Sequence, residues 1–164
     1  MKRLTTITFA LLVAVSAHAA ESASQRFLKK AIEGNYAEIK MGQLAQQSGQ
    51  NDAVKKYGQM LADDHAAANQ KALDAANSAG MTAPEGPSDK QKSDYEKMAK
   101  MTGAKFDHEF ARHMVADHQK DIAEYKKAAK QSDAAGDYAK AQIPVLEQHL
   151  DTAKSLSSKR MSGR

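Results

Sequence analysis

Four side chains in this sequence are suited to hold a metal ion, and they recur at comparable positions along the chain: Glu38, His65, His118 and His149. Three neutral imidazoles and a carboxylate are ligands for zinc, iron or manganese; copper is a weaker candidate, since the methionines read as core filling and His113, Met114 and His118 would suit it only if their helix rolled. Asp64 and Asp117 each precede one of these histidines. At about 100° per residue they turn toward neighbouring helices, where they would accept a ring N–H from a partner's imidazole or serve as alternate ligands. A metal-free, hydrogen-bonded Glu–His network is the competing reading of the same residues.

What makes these residues more than isolated histidines is the pattern around them. In the stretch from Phe106 to Tyr125, residues Asp107, Ala111, Met114, Val115, His118, Ile122 and Tyr125 fall on one side of a helix, so His118 sits in the middle of an apolar stripe. His65 holds the same place among Val54, Gly58, Leu61, Ala62, Ala68 and Ala72, and His149 among Tyr138, Gln142, Val145, Leu146 and Ala153. Glu38 lies mid-stripe among Phe27, Ala31, Gly34, Asn35, Met41, Gly42 and Ala45. An imidazole or carboxyl in such a stripe needs a hydrogen bond or a ligand when buried.

Four long helices are therefore expected: Ser22 to Gly49, Asp52 to Ser78, Lys105 to Lys130 and Ala134 to Leu156, with Pro144 kinking the last. Between the second and third, Thr82 to Pro87 reads as loop and Ser88 to Met101 as a short polar helix whose apolar contacts are Tyr95 and Met98. That connection is long enough to carry the chain the length of a bundle. Each of the four ligand-capable residues lies about 12 to 16 residues from its nearest turn, or roughly 18 to 24 Å along the axis, so the four share one level. Gly34 and Gly42 flank Glu38 and would let a neighbouring helix come close. Asp107 lies too far along its helix for the same site and is expected to bind backbone or a polar group near the helix start. His108 and His113 read as surface residues, and Met41, Met60 and Met114 as core filling.

The N-terminus MKRLTTITFALLVAVSAHA has two cations, an apolar run and a small-x-small end, the pattern of a secretory signal peptide over residues 1–19. The domain expected after it is 20–156, followed by a flexible tail over 157–164. Without the leader the chain keeps 22 of its 24 Lys+Arg against 20 Asp+Glu, a net charge of +2. Charges of both signs are interspersed, which gives no basis for nucleic-acid binding. The remaining chain has no run long enough for a transmembrane segment. The expected location is the periplasm, with peripheral contact to the outer membrane through the lysine-rich stretch 90–105 as a further option. With no cysteine, the exported fold rests on packing, with or without a metal. No nucleophile or acid–base pair stands out, so the sequence offers no catalytic residue, and it is silent on oligomeric state.

The combination Phe27-Leu28, Ala31, Gly34-Asn35, Glu38, Gly42 and Leu44-Ala45, then Asp64-His65, Phe106-Asp107, His118, Pro144, Leu146 and His149-Leu150 resembles the bacterial exported family catalogued as domain of unknown function 4142. Members of that family are often described as outer membrane proteins and grouped with ferritin-like folds. The resemblance implies an all-α, ferritin-like four-helix bundle in the periplasm and no established reaction; the expected role in envelope or metal and oxidative stress rests on the four-residue layer itself. One departure narrows it: di-iron bundles use Glu-x-x-His on two helices, whereas here acid and histidine are adjacent or two apart. A mononuclear site suits these ligands better than a ferroxidase with bridging carboxylates.

Overall fold

Helix boundaries in this protein follow its capping residues. Ser22 Oγ accepts the Gln25 backbone N–H while the Gln25 side chain accepts the Ser22 N–H, a reciprocal cap that starts α1, Ala23–Ser48. Asn51 Oδ1 accepts from Ala53 N at 2.8 Å and starts α2, Asp52–Ser78. Helix α2 closes with Gly80 at φ +63°, Gly80 N bonding Asn77 O and Met81 N bonding Ala76 O, a left-handed stop that glycine permits. Ser88 and Gln91 repeat the reciprocal cap at α3, Asp89–Met98. Helix α4, Gly103–Ala128, starts two residues earlier than the periodicity indicates, because Gly103 at φ +60° makes the turn itself and then counts as the first helical residue. Asp133 Oδ1 accepts from Gly136 N at 2.9 Å at the start of α5, Ala134–Ser158.

The computed structural model describes residues 21–158, so the expected leader over 1–19 and the tail from 159 onward lie outside the described residues. Helix α5 extends through Ser157 and Ser158, which the sequence assigns to the tail. It also runs unbroken through Pro144. Pro144 and Lys140 are both exposed, so the carbonyl that loses its intrahelical donor has water available.

The described residues form an all-α helical bundle of five helices with no strand. The long helices pack around one interior: α1 on α2 and α4 on α5 most extensively, then α2 on α5 and α1 on α4. Ser24 Oγ reaches Asp133 Oδ2 at 2.5 Å, and Gln25 Nε2 donates to Ala79 O at 3.1 Å, so the start of α1 lies beside the end of α2 and the α4–α5 turn. At the opposite end the Asp107 carboxylate accepts from Gln50 N and Asn51 N, both at 2.9 Å, binding the start of α4 to the α1–α2 turn. The connection from α2 to α4 therefore traverses the molecule lengthwise, and the short α3 rides against α1 and α4 on the way.

Two apolar clusters fill the interior. One gathers Phe27, Leu28, Ile32, Ala72, Ile122, Tyr125, Tyr138 and Leu146, and the other Met41, Leu44, Val54, Leu61, Phe106, Phe110 and Met114. On α1, α2 and α4 the ligand-capable residue falls between the helix's contributions to these clusters, and on α5 His149 lies at their boundary, beside Leu150 of the first and four residues before Ala153 of the second, so a polar layer separates two greasy halves. Two of the long helices approach closely at a pair of glycines. A Cβ on Gly42 would lie 2.4 Å from Gly58 O, and one on Gly58 would lie 2.6 Å from Gly42 O, so α1 and α2 meet there backbone to backbone. The same expectation for Gly34 is not met: a Cβ there would find nothing nearer than Gln91 Nε2 at 4.0 Å. Gly34 instead borders a cavity between α1 and α4.

Candidate metal centre

Glu38, His65, His118 and His149 are all buried, with exposures of 3, 5, 2 and 0%. Among the described residues, one ring nitrogen from each of His65, His118 and His149 lies within 4.8 Å of the other two. The rings form a near-equilateral triangle, with centroids 5.9, 5.3 and 5.4 Å apart.

Their hydrogen bonds decide which nitrogens face inward. His65 Nδ1 lies 3.0 Å from Asn35 Oδ1, an amide oxygen that can only accept, so Nδ1 carries the proton and Nε2 is bare. His118 Nδ1 donates to the Met114 carbonyl at 3.0 Å, which leaves its Nε2 bare. His149 Nε2 donates to Asp64 Oδ2 at 2.9 Å, which leaves its Nδ1 bare. His118 Nε2 and His149 Nδ1 are 3.3 Å apart, and His65 Nε2 is buried without a hydrogen-bond partner. Three lone pairs thus converge on one region with no proton assigned between them, the arrangement by which outer hydrogen bonds fix the tautomers of metal-binding histidines.

Electrostatics act in the same direction. Burial, reinforced by His118 and His149, holds His65 well below the ordinary imidazole range. Burial and the neighbouring His149 lower His118 to about 4. His149 is lowered by burial, with Asp64 opposing. All three are neutral at pH 7, the state a cation requires.

Other bonds fix the layer to the helices. Asn35 Nδ2 donates to Tyr138 Oη at 3.0 Å, tying α1 to α5 behind His65. Tyr57 Oη donates to the His149 carbonyl at 3.0 Å, tying α2 to α5 at the site itself. Asn35, Tyr138 and Asp121 carry no site role in the sequence reading. The first two stand on the apolar stripes of α1 and α5, so their polarity was visible, but their pairing across helices was not.

Glu38 occupies a different place from the imidazoles. It is not part of the mutually close set, yet it lines the same cavity as His65. Burial, then the charges of Asp117 and Asp121, push its carboxyl well above the usual range, and it shares a side-chain hydrogen bond with Asp117. Glu38 Oε2 is buried without a hydrogen-bond partner. Asp117 thus engages Glu38, while Asp64 engages His149. Burial and the Asp117 charge raise Asp121 to about 7. His113 is half-buried on the cavity wall, whereas His108 is exposed and pairs with Glu109 at 3.2 Å. Met41 and Met114 are core residues, and Met60 packs partly buried against them.

The arrangement could hold one metal ion on three imidazole nitrogens. None of the described helices is long and apolar enough to cross a membrane. No curated protein and no solved structure matches the chain. Residues 11–156 match the family described as Domain of unknown function (DUF4142), and with a match over most of its length the chain belongs to that family.

Proposed function

We propose that this protein is an exported, periplasmic four-helix bundle of ferritin-like arrangement that holds a single divalent transition-metal ion, with a role in metal or oxidative stress of the cell envelope. His65 Nε2, His118 Nε2 and His149 Nδ1 are the ligands, and Glu38, once it releases its proton, supplies a carboxylate oxygen from the cavity side. The observation that carries this is the set of three outward hydrogen bonds, to Asn35, Met114 and Asp64, which leaves three bare nitrogens facing one another. The ferritin-like arrangement is supported by the lengthwise connection between α2 and α4 and by the pairing of α1 with α2 and α4 with α5. No carboxylate belongs to the close set, which favours one metal over a bridged pair. Zinc, iron and manganese all suit these donors. The secretory pattern of residues 1–19 supports export.

The alternative, a structural or stress protein in which the layer only fixes helix register, places a shared proton between His118 and His149 at 3.3 Å. The lowering of His118 to about 4 opposes that arrangement near neutral pH. Cobalt(II) titration of the purified protein separates the two readings. The metal reading expects one equivalent bound with intense visible absorption of a low-coordinate site, lost in His118→Leu. The register reading expects no retained cobalt and a His65→Leu/His118→Leu protein that folds at least as stably as wild type.

A further inference from the structure

Access to the three imidazoles is one-sided. Between α2 and α5, where His65 and His149 lie beside Asp64 and Gln142, the free space is about 10 Å³, too little to pass a hydrated ion. Between α1 and α4 lies a cavity of about 210 Å³ whose lining includes both His65 and Glu38. Six carboxylates and three lysines line it, so its walls are net acidic.

The carboxylates are graded by depth. Glu124 is exposed, Asp121 and Asp117 are half-buried, and Glu38 is buried. The three on α4 are spaced three and four residues apart, which puts them in one row along the helix. At the inner end two polar atoms are buried and unpartnered, Glu38 Oε2 and His65 Nε2, on residues that are 3 and 5% exposed and line this cavity. The row therefore ends on an acceptor oxygen and a bare imidazole nitrogen, both of which a cation would satisfy.

We propose that this cavity is the route by which the metal ion reaches and leaves the imidazoles, and that Asp121, Asp117 and Glu38 hold the cation in transit. The inference rests on the metal-binding reading above. A divalent cation partly stripped of water is carried from Glu124 inward by successive carboxylates, each replacing hydration oxygens, and is handed to His65 first, the one histidine of the three that lines the cavity. Helix α3 forms the outer wall through Gln91 and Asp94.

The test is the rate of cobalt(II) uptake by the full protein, followed by stopped-flow visible absorption, and of its release to excess chelator. Asp121→Asn and Asp117→Asn are each expected to slow both rates by roughly tenfold, while the cobalt spectrum keeps its wild-type shape because the three imidazoles are intact. Asp151→Asn, at an acid on α5 paired with Lys154 at 3.6 Å and away from the cavity, is expected to keep wild-type rates. A wild-type spectrum with wild-type rates in both cavity variants overturns the route alone. No cobalt spectrum in the wild-type protein removes the metal site and the route together.

Discussion

Each histidine of the polar layer has one ring nitrogen already engaged, and the group engaging it differs in what its loss would do. Asn35 holds His65 in its tautomer and is itself held by Tyr138. Asn35→Leu should therefore lower zinc affinity by roughly 10 to 100-fold through loss of that orientation, measured by competition with a chromophoric chelator, whereas His65→Ala removes one of the proposed ligands and should cost more. Asp64 is 44% exposed, so Asp64→Asn should alter the fold's stability little and act mainly on metal affinity. Asp121 provides the pH test of the apo protein. With its carboxyl raised to about 7 in the fold, against 3.8 ordinarily, the native state retains a proton that the unfolded chain has lost. Native stability then falls as pH rises from about 4 through 7, and the full penalty of burying the charge is present above 7. Asp121→Asn should raise the melting temperature most at pH 8 and less at pH 5, and a gain independent of pH would contradict this assignment. The histidines were legible in the sequence because an imidazole in an apolar stripe conflicts with its surroundings at helical spacing. Asn35 and Asp121 were not, since their significance arises from contacts across helices that no single helix's periodicity encodes.

At the scale of the elements, the caps made the helices readable. The bounds of α2 coincide with the expected ones, and those of α1 agree within a residue, because Ser22, Asn51 and Gly80 act locally, within a few residues of the chain. Crossing geometry is a different matter, as the glycines show. Gly34 and Gly42 look alike in sequence, yet only Gly42 meets a neighbouring backbone, and its counterpart Gly58 gained its significance only when α2 was placed against α1. The contrast is measurable by denaturant unfolding. Gly34→Ala should stabilise by up to about 1 kcal/mol through helix propensity, while Gly42→Ala should destabilise, because its Cβ would meet a carbonyl oxygen at 2.4 Å that cannot move without shifting α2. Asp107→Ala should cost about 1 kcal/mol or somewhat more by removing the acceptor for Gln50 N and Asn51 N.

For the whole molecule, the polar layer divides the core into two apolar clusters, and without a cation it leaves Glu38 Oε2 and His65 Nε2 buried and unpaired. Such groups each cost about 1 to 3 kcal/mol, so a bound ion would relieve a strain that the apo fold carries. Mass action then makes stability depend on free metal: at a hundredfold excess over the dissociation constant the gain is about 2.7 kcal/mol, which should appear as a raised melting temperature reversed by chelator. The shared level of the four residues could be estimated from their distances to the turns, but the sequence treated Glu38 as equivalent to the imidazoles. The fold sets it on the cavity side, bonded to Asp117. The most direct measurement is anomalous diffraction from crystals of the protein loaded with one equivalent of zinc. The account predicts a single peak per chain bounded by His65 Nε2, His118 Nε2 and His149 Nδ1. Zinc found only at surface carboxylates or at His108, with the three inner nitrogens still facing one another empty, would contradict it.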